Sequence, residues 1–193
     1  MKLRTSFATP IFRGRMLSNP EVDKVLYSLI QIKNENPEGV SKSNINSWHS
    51  HSIHGDDLFK PAISTIEFYL SESLNDNGYS FKRLTTSNAW GMHCSDGGYN
   101  AGHVHPGADW SGVIHLTTVE PKSGGRLVVS DNRTENMMAD YKFIKGQQPS
   151  WAYRRIRFRP IKGFGIFFPG YVWHETEPYH SDRWALALNI KVV

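Results

Sequence analysis

The sequence predicts a mainly β fold with flanking helices outside a β-sandwich or barrel, and a jelly roll is its most economical form. Two amphipathic helical patterns lie before residue 75. After Gly78, short runs rich in Val, Ile, Phe, Trp and Thr alternate with Gly, Pro, Asn and Asp. No internal repeat or linker interrupts the 193 residues. We therefore expect a single domain over 1–193, with helices mainly in 19–75 and core strands mainly in 80–193.

Two helices are expected in the first part of the chain. The first begins at Asn19-Pro20, a capping residue followed by a proline suited to a first turn, and continues through EVDKVLYSLIQIK. The second covers about 56–74, with Pro61 near its first turn. Apolar residues recur at helical spacing in both segments, which indicates that each helix buries one face against a core.

The remaining sequence is expected to form strands separated by turns. Their apolar and β-branched residues favour pleated structure, and the Gly, Pro, Asn and Asp residues between them favour reversal of the chain. The predicted strands are Ser80–Thr86, Ala89–Cys94, Gly112–Thr118, Arg126–Ser130, Arg154–Arg159, Gly163–Phe168 and Trp184–Lys191.

Composition limits the classes of partner and the compartment. The single cysteine, Cys94, excludes an intramolecular disulfide, and no stretch approaches the roughly 20 apolar residues of a membrane span, so we expect a cytoplasmic protein without membrane contact. The net charge is +4, and Arg155, Arg157 and Arg159 would share one face of a strand. This stripe is a solvated face or a weak indication of nucleic-acid binding, since no recognition motif accompanies it.

A histidine pair carries the strongest chemical signal. His103 and His105 occupy i and i+2 positions, and on an extended chain such side chains leave the same face, so both rings can approach one metal ion. They follow a glycine-rich turn and precede Pro106-Gly107, which places them at a strand end. His174 follows another apolar strand and could supply a third ligand, leaving coordination positions open.

Arg183 lies nine residues after His174, at the beginning of the last predicted strand. The short segment between them allows the chain to reverse and bring the guanidinium beside the histidine. A planar guanidinium suits a carboxylate held by two hydrogen bonds. A salt bridge to Asp109, Asp182 or Glu175 is the alternative explanation, and spacing alone does not decide between them.

These segments resemble a known family. GGYNAGHVHPGADWSGVIHL, GGRLVVSDNR and GFGIFFPGYVWHETEPYHSDRWALALNI, preceded by NSWHS and SNAWGM, are similar in the same order to 2-oxoglutarate/Fe(II)-dependent oxygenases related to the prolyl hydroxylases. The resemblance extends from about Asn46 to the C-terminus. It implies a double-stranded β-helix, a cupin-like jelly roll that holds Fe(II) between its sheets.

The resemblance implies roles for individual residues. His103 corresponds to the first iron ligand, His174 to the distal histidine, and Arg183 to the anchor for the distal carboxylate of 2-oxoglutarate. The implied cofactors are Fe(II), the cosubstrate 2-oxoglutarate and O2. The implied reaction is hydroxylation of a small molecule or protein side chain, with release of succinate and CO2.

The chain departs from the family at His105, because most relatives carry aspartate or glutamate there. Three outcomes are open: a three-histidine site, a carboxylate supplied by Asp109, or a two-histidine site completed by water. We favour three histidines, since i and i+2 share a face whereas Asp109 lies beyond Pro106-Gly107.

A second departure is Ala185, since the residue two positions after the anchoring arginine often offers a hydroxyl to the cosubstrate. We expect Tyr99, Asn100, Ser111 or Asn189 to replace that contact, and Trp90 to contribute to the pocket wall.

Two other functions remain open at this point. A cupin-like metalloprotein acting without 2-oxoglutarate would use the same histidines. A binding or structural module that has lost turnover would explain the replacements at His105 and Ala185. Oxygen-dependent succinate formation distinguishes the oxygenase from both.

Overall fold

A computed structural model describes residues 8–121, 123–133 and 153–193. Within these ranges the chain forms two helices and nine strands. In chain order they are β1 (Phe12–Arg15), α1 (Asn19–Glu35), β2 (Asn44–His49), α2 (Lys60–Asp76), β3 (Leu84–Asn100), β4 (Trp110–His115), β5 (Leu127–Ser130), β6 (Arg155–Phe158), β7 (Phe164–Pro169), β8 (His174–Thr176) and β9 (Arg183–Val192).

The strands form two antiparallel sheets. The larger sheet has the order β1-β7-β4-β9-β3-β2, and the smaller has the order β6-β5-β8. A hydrophobic cluster containing Trp90, Val113, Val129 and Phe168 joins side chains of both sheets. Two packed sheets with flanking helices confirm the mainly β, double-stranded β-helix class predicted from the sequence.

Alternation along the strands separates the two faces of the larger sheet. In β9, Ala185 and Ala187 pack in the cluster between the sheets, whereas Leu186 and Leu188 pack in the cluster that also contains apolar residues of α1 and α2. The helices therefore cover one face of the larger sheet. The other face is available, together with the smaller sheet, to enclose a site.

Both predicted helices are present, with small differences in their ends. The cap of α1 is Ser18, one residue before the predicted Asn19, and its N–H and hydroxyl both donate to the Glu21 carboxylate, at 2.8 and 2.6 Å. Glu three residues after a serine cap is the capping-box pattern. These hydrogen bonds from Ser18 lower the pKa of Glu21.

The strand predictions required correction near β3. The predicted strands 80–86 and 89–94 are one continuous strand, Leu84–Asn100, whose pairing with β9 shifts register between Thr86 and Asn88. The polar residues at this bulge resemble a turn in the sequence, which explains why two separate strands were predicted. Strands β1, β2 and β8 were not predicted, because each is short and none shows a clear apolar alternation.

The basic stripe is largely paired. Arg155 pairs with Glu175, and the Nε atom of Arg157 lies 3.2 Å from Glu177. These contacts partly neutralise the stripe and give the nucleic-acid hypothesis little support. Among the described residues, no helix has the length and apolar character needed to cross a bilayer.

Candidate metal centre and buried pocket

Three histidines converge between the two sheets. His103 and His105 lie in the extended segment after β3, and His174 begins β8. The backbone pairs His103 with His174: each N–H donates to the other carbonyl, at 3.0 and 3.1 Å. One ring nitrogen from each of the three side chains lies within 4.8 Å of the others. Since two metal–nitrogen bonds span about 4.2 Å at most, small ring rotations suffice for a shared ion.

Backbone carbonyls orient two of these rings. The Nδ1 atom of His103 lies 2.7 Å from the Ala101 carbonyl, and the Nδ1 atom of His174 lies 2.9 Å from the Val172 carbonyl. A carbonyl only accepts, so the proton belongs on Nδ1 in both rings. The Nε2 lone pairs are then free for a metal, which is the usual arrangement of a metal-binding histidine.

Burial keeps all three imidazoles neutral. It lowers the pKa of His103, and burial with the neighbouring histidine lowers the pKa of His105 to about 4. Burial lowers the pKa of His174 to about 3, with smaller contributions from His103 and His105. Neutral rings offer the lone pairs that metal binding requires, so the site needs no loss of protons at neutral pH.

Asp109 does not approach the histidines. Its Oδ2 atom accepts a hydrogen bond from the Val192 N–H at 2.9 Å and lies 3.9 Å from the Lys191 ammonium. Within the described ranges, the group of side chains that could hold a metal ion consists of His103, His105 and His174, whose ligand atoms lie within 4.8 Å of one another. The geometry therefore favours His105 over Asp109 as third donor.

A cavity of about 370 Å³ adjoins the histidines. Its wall includes most of the residues that the sequence analysis proposed: His103, His105, His174, Arg183, Trp90, Asn100, Ser111 and Asn189. Tyr99 is not part of this wall. Neighbouring residues of a strand face opposite sides, so the orientation that brings Asn100 to the cavity directs Tyr99 away from it.

Arg183 contributes a buried cation to the cavity wall. The side chain is 1% exposed, and its Nη1 atom lies 3.6 Å from the Cys94 sulfur. Among the described residues, its Nε and Nη2 atoms have no hydrogen-bond partner. Burial lowers the pKa of Arg183, while Cys94 opposes that change. Buried cations are normally paired, so this arrangement indicates a site for an anion.

The three carboxylates considered as partners of Arg183 are bound elsewhere. Asp182 pairs with His93, and Glu175 pairs with Arg155. Asp109 contacts β9 near the far end of that strand, as described above. The salt-bridge explanation of Arg183 is therefore not supported.

Three of the residues expected to replace the hydroxyl missing at Ala185 line the cavity: Asn100, Ser111 and Asn189. The Ser111 hydroxyl donates to the Asn189 side-chain oxygen at 3.1 Å, so these two residues bind each other. Asn189 is six residues from Arg183 along β9, which corresponds to about 20 Å. Ser111 and Asn189 therefore lie on the cavity wall at a distance from the guanidinium, and the expectation that one of them replaces the missing hydroxyl stays a prediction.

Asn100 has a different environment. Its N–H donates to the Thr176 hydroxyl at 2.7 Å, and its Nδ2 donates to the Ser43 hydroxyl at 3.2 Å. The side-chain oxygen is buried and has no hydrogen-bond partner within the part of the chain that the structure describes. Asn100 can therefore accept a hydrogen bond from a molecule in the cavity.

His49 is a cavity residue that the sequence analysis did not identify. Its ring stacks on Trp90 with centroids 5.5 Å apart and planes 9° apart, and its Nδ1 lies 2.6 Å from the Ser50 carbonyl. His49 belongs to NSWHS, one of the segments that resemble the oxygenases, and this position is the sequence feature that could have identified it as a site residue. The short strand β2 carries it to the cavity.

The donor set has a clear chemical preference. Three neutral imidazole nitrogens suit a divalent transition metal, and a nearby guanidinium suits a carboxylate. Both groups line the same cavity. The residues present therefore fit a metal ion together with an organic anion.

Comparisons with known proteins found a matching family model and solved structures with the same fold. The model of a family described as "Putative 2OG-Fe(II) oxygenase" matches residues 88–189, which is more than half of the chain. The matched region contains the three histidines and Arg183. A comparison with curated proteins found no match.

Solved structures share the fold. A viral collagen prolyl hydroxylase from Paramecium Bursaria Chlorella virus-1, in complex with 2OG, has 17% identity and a TM-score of 0.62 over 95% of this chain and 96% of the other. A prolyl hydroxylase from Trichoplax adhaerens, bound to a hypoxia inducible factor peptide, has 16% identity and a TM-score of 0.63 over 94% and 82%. HygX from Streptomyces hygroscopicus, with nickel, 2-oxoglutarate and hygromycin B, has 10% identity and a TM-score of 0.64 over 94% and 82%. At these identities the likeness shows the fold alone.

Proposed function

The chain belongs to the 2OG-Fe(II) oxygenase family, and from this premise we propose that it hydroxylates an organic substrate at a three-histidine iron site. His103, His105 and His174 hold Fe(II), and Arg183 anchors the distal carboxylate of 2-oxoglutarate. Residues 1–193 act as one domain of this type.

One observation carries the proposal. Three histidines with ring nitrogens within 4.8 Å of each other line the same cavity as a buried arginine. The Nε and Nη2 atoms of this arginine lack hydrogen-bond partners among the residues that the structure describes. A metal site alone would not require the arginine, and an anion site alone would not require the histidines. A metal-chelating anion such as 2-oxoglutarate uses both.

The residues of the chain bind and orient the reactants. His103 and His174 present Nε2 because backbone carbonyls hold their Nδ1 protons, and His105 supplies a third neutral donor. Arg183 neutralises the distal carboxylate in a cavity wall from which water is excluded. Bound Fe(II) and 2-oxoglutarate supply the oxygen chemistry that couples release of succinate and CO2 to substrate hydroxylation. The protein supplies binding, orientation and a shielded cavity.

The replacement of a carboxylate by His105 changes the charge of the site. A neutral imidazole leaves the ion with a higher net positive charge than an aspartate would. We propose that this increases the dependence of metal retention on an anionic cosubstrate. Binding of Fe(II) is therefore expected to strengthen when 2-oxoglutarate is present.

The substrate is proposed to enter beside His49, Trp90 and Asn100. These residues offer an aromatic surface and an unpaired acceptor on the cavity wall. Structural relatives include one solved with a peptide and one solved with hygromycin B. Both a protein side chain and a small molecule remain consistent with this site.

The direct test is anaerobic reconstitution with Fe(II) and 2-oxoglutarate, followed by addition of O2 and measurement of succinate and oxygen uptake. We expect succinate only when all three components are present. His103→Ala and His174→Ala should lose metal and turnover. His51→Ala is the matched control, because His51 is exposed and lies outside the cavity wall.

Each alternative function has its own outcome in this test. Metal-dependent oxygen uptake with no consumption of 2-oxoglutarate would contradict the proposal and favour a cupin-like activity. Retention of metal with neither reaction would favour a binding module.

A further inference from the structure

Two asparagines on adjacent strands, Asn88 and Asn189, form an amide pair on the cavity wall. Both side chains line the cavity and are half-buried, and the pairing of β3 with β9 sets them directly opposite each other. Directly opposed residues have Cβ atoms about 5 Å apart. The two side-chain amides are therefore close enough to contact one small group in the cavity.

Serine hydroxyls fix the orientation of both amides. Ser52 donates to the side-chain oxygen of Asn88, and Ser111 donates to the side-chain oxygen of Asn189 at 3.1 Å. Because the oxygens are engaged, the free ends of the amides are the Nδ2 groups, which only donate. Among the described residues, neither Nδ2 atom has an acceptor. The amide pair thus offers oriented donors to a molecule in the cavity.

The sheet register connects the amide pair to the histidine site. Ser111 is the pairing partner of Asn189 on one side and of Phe168 on the other. Four adjacent strands therefore contribute one row to the cavity wall: Phe168, Ser111, Asn189 and Asn88. The centroid of the Phe168 ring lies 4.6 Å from that of His174. One end of this row is thus in contact with a candidate metal ligand.

Trp90 connects the amide pair to a second histidine. It lies two residues after Asn88 in β3, which corresponds to about 7 Å along the same face. Its ring centroid lies 5.6 Å from that of His105. Arg183, in contrast, is six residues from Asn189 in β9, or about 20 Å. A molecule bound by the amide pair can therefore reach the histidine site without occupying the space beside Arg183.

The two rows of the sheet that contain or adjoin the amide pair carry no charged side chain. The adjoining row consists of Ile166, Val113, Ala187 and Trp90. A carboxylate bound here would lose hydration without gaining a cation, which is costly. An uncharged carbonyl oxygen has two lone pairs, and two N–H donors satisfy both of them. The amide pair therefore suits a neutral carbonyl better than an anion.

We infer that Asn88 and Asn189 together bind the carbonyl oxygen of the substrate, and that the substrate carries an uncharged amide group. This inference rests on the proposed function, because it assigns the other ligand of the same cavity. The sequence analysis named Asn189 as a possible donor to the cosubstrate. The experiment distinguishes these two roles of its Nδ2 group.

The test measures binding without turnover. Protein labelled with nitrogen-15 and loaded with zinc and 2-oxoglutarate is titrated with N-methylacetamide and, separately, with acetate. Titration extends to about 100 mM because such small ligands bind weakly. The side-chain amide signals of Asn88 and Asn189 are followed by NMR and assigned by their loss in alanine variants. We expect both signals to move with one dissociation constant for N-methylacetamide, and acetate to bind at least about five-fold more weakly.

Two substitutions test the donors separately. Asn189→Ala removes one donor, and the Ser111 hydroxyl can then donate to the Leu188 carbonyl, 3.4 Å away. Loss of one neutral hydrogen bond should raise the dissociation constant of N-methylacetamide about five-fold. Asn88→Asp keeps an acceptor for Ser52 but replaces the donor by a charge, so the rise should be at least about ten-fold. Asn75→Ala is the matched control, because Asn75 is exposed on α2 and outside the cavity wall, and it should change this constant less than about two-fold.

The outcomes separate this inference from the proposed function. Absence of any movement of the two signals, binding of acetate as tight as that of N-methylacetamide, or unchanged affinity in both variants would overturn the role of the amide pair alone. A rise of about ten-fold in the dissociation constant of 2-oxoglutarate, with retained binding of N-methylacetamide, would assign the pair to the cosubstrate and also overturn it. Failure of the unaltered zinc-loaded protein to bind 2-oxoglutarate would instead overturn the proposed function. If one variant does not fold, the other variant and the titration of the unaltered protein still decide.

Discussion

Replacement of Arg183 by methionine is expected to stabilise the ligand-free protein while removing its affinity for 2-oxoglutarate. Arg183 is 1% exposed, and its Nε and Nη2 atoms have no hydrogen-bond partner in the described ranges. The contact of Nη1 is a cysteine sulfur at 3.6 Å, which is a weak acceptor. The fold therefore holds a cation whose charge it does not compensate.

The size of both effects follows from this burial. An uncompensated buried ion costs several kcal/mol, and its replacement by an apolar side chain of similar volume commonly stabilises by about 1–4 kcal/mol. For a domain of this length, that gain corresponds to about 2–4 °C in Tm for each kcal/mol. Loss of the buried partner of a carboxylate should cost about 3–5 kcal/mol in binding, or more than a hundred-fold in Kd.

The assay combines denaturant unfolding of the metal-free protein with titration of the zinc-loaded protein by 2-oxoglutarate. Arg157→Met is the matched control, because Arg157 is 47% exposed and pairs with Glu177 at the surface. We expect it to change the unfolding free energy by less than about 1 kcal/mol and the affinity not at all. A loss of stability in Arg183→Met together with unchanged binding would refute the assignment of the anion site.

Three further predictions concern the metal ligands, pH and packing. His105→Ala should lower bound metal, measured by elemental analysis after dialysis, whereas Asp109→Asn should not, because that carboxylate binds the β9 backbone; the reverse result would make Asp109 the ligand. Burial and Arg183 lower the pKa of His115 from 6.5 to about 3, so stability should be retained above pH 6.5 and decline as the pH falls toward 3. The loss by pH 5 is about 2 kcal/mol, and His115→Gln should reduce the difference between urea midpoints at pH 7 and pH 5; equal differences would contradict the assignment. Gly112→Ala places a Cβ against the Phe167 ring and should destabilise the fold by about 1–3 kcal/mol, an effect that Phe167→Leu should partly relieve. An alanine variant of unchanged stability would show that the sheet can relax there.

The fold was predictable because its main signals are local. Helical periodicity identified α1 and α2. The cap of α1 is Ser18, one residue before the predicted cap, because Ser18 forms a capping box with Glu21. The strands that escaped prediction are short edge or connecting segments. Their pairing is decided by distant partners: β8, for example, is three residues long and forms by pairing with β5.

The histidine site was partly predictable for the same reason. His103 and His105 are two residues apart, and side chains at this spacing share one face of any extended chain. The prediction therefore did not depend on whether the pair lies inside a regular strand, and in the structure it follows β3. The position of His174 depends on its backbone pairing with His103, which joins residues 71 apart in sequence. The resemblance to the oxygenases supplied that link before the structure did.

The sequence by itself determined the fold class, the types of metal-binding side chain and the chain order of the candidate ligands. Hydrophobic periodicity and residue chemistry are properties of short segments, so they can be read without the tertiary structure. Tertiary structure decided which polar groups meet. Register placed His115 opposite Ala185 and Ser111 opposite Asn189, which lies about 20 Å along β9 from Arg183. Among the described residues, the Nε and Nη2 atoms of Arg183 have no hydrogen-bond partner. A one-residue change in register reverses every side chain of a strand, and no local pattern specifies the register between distant strands.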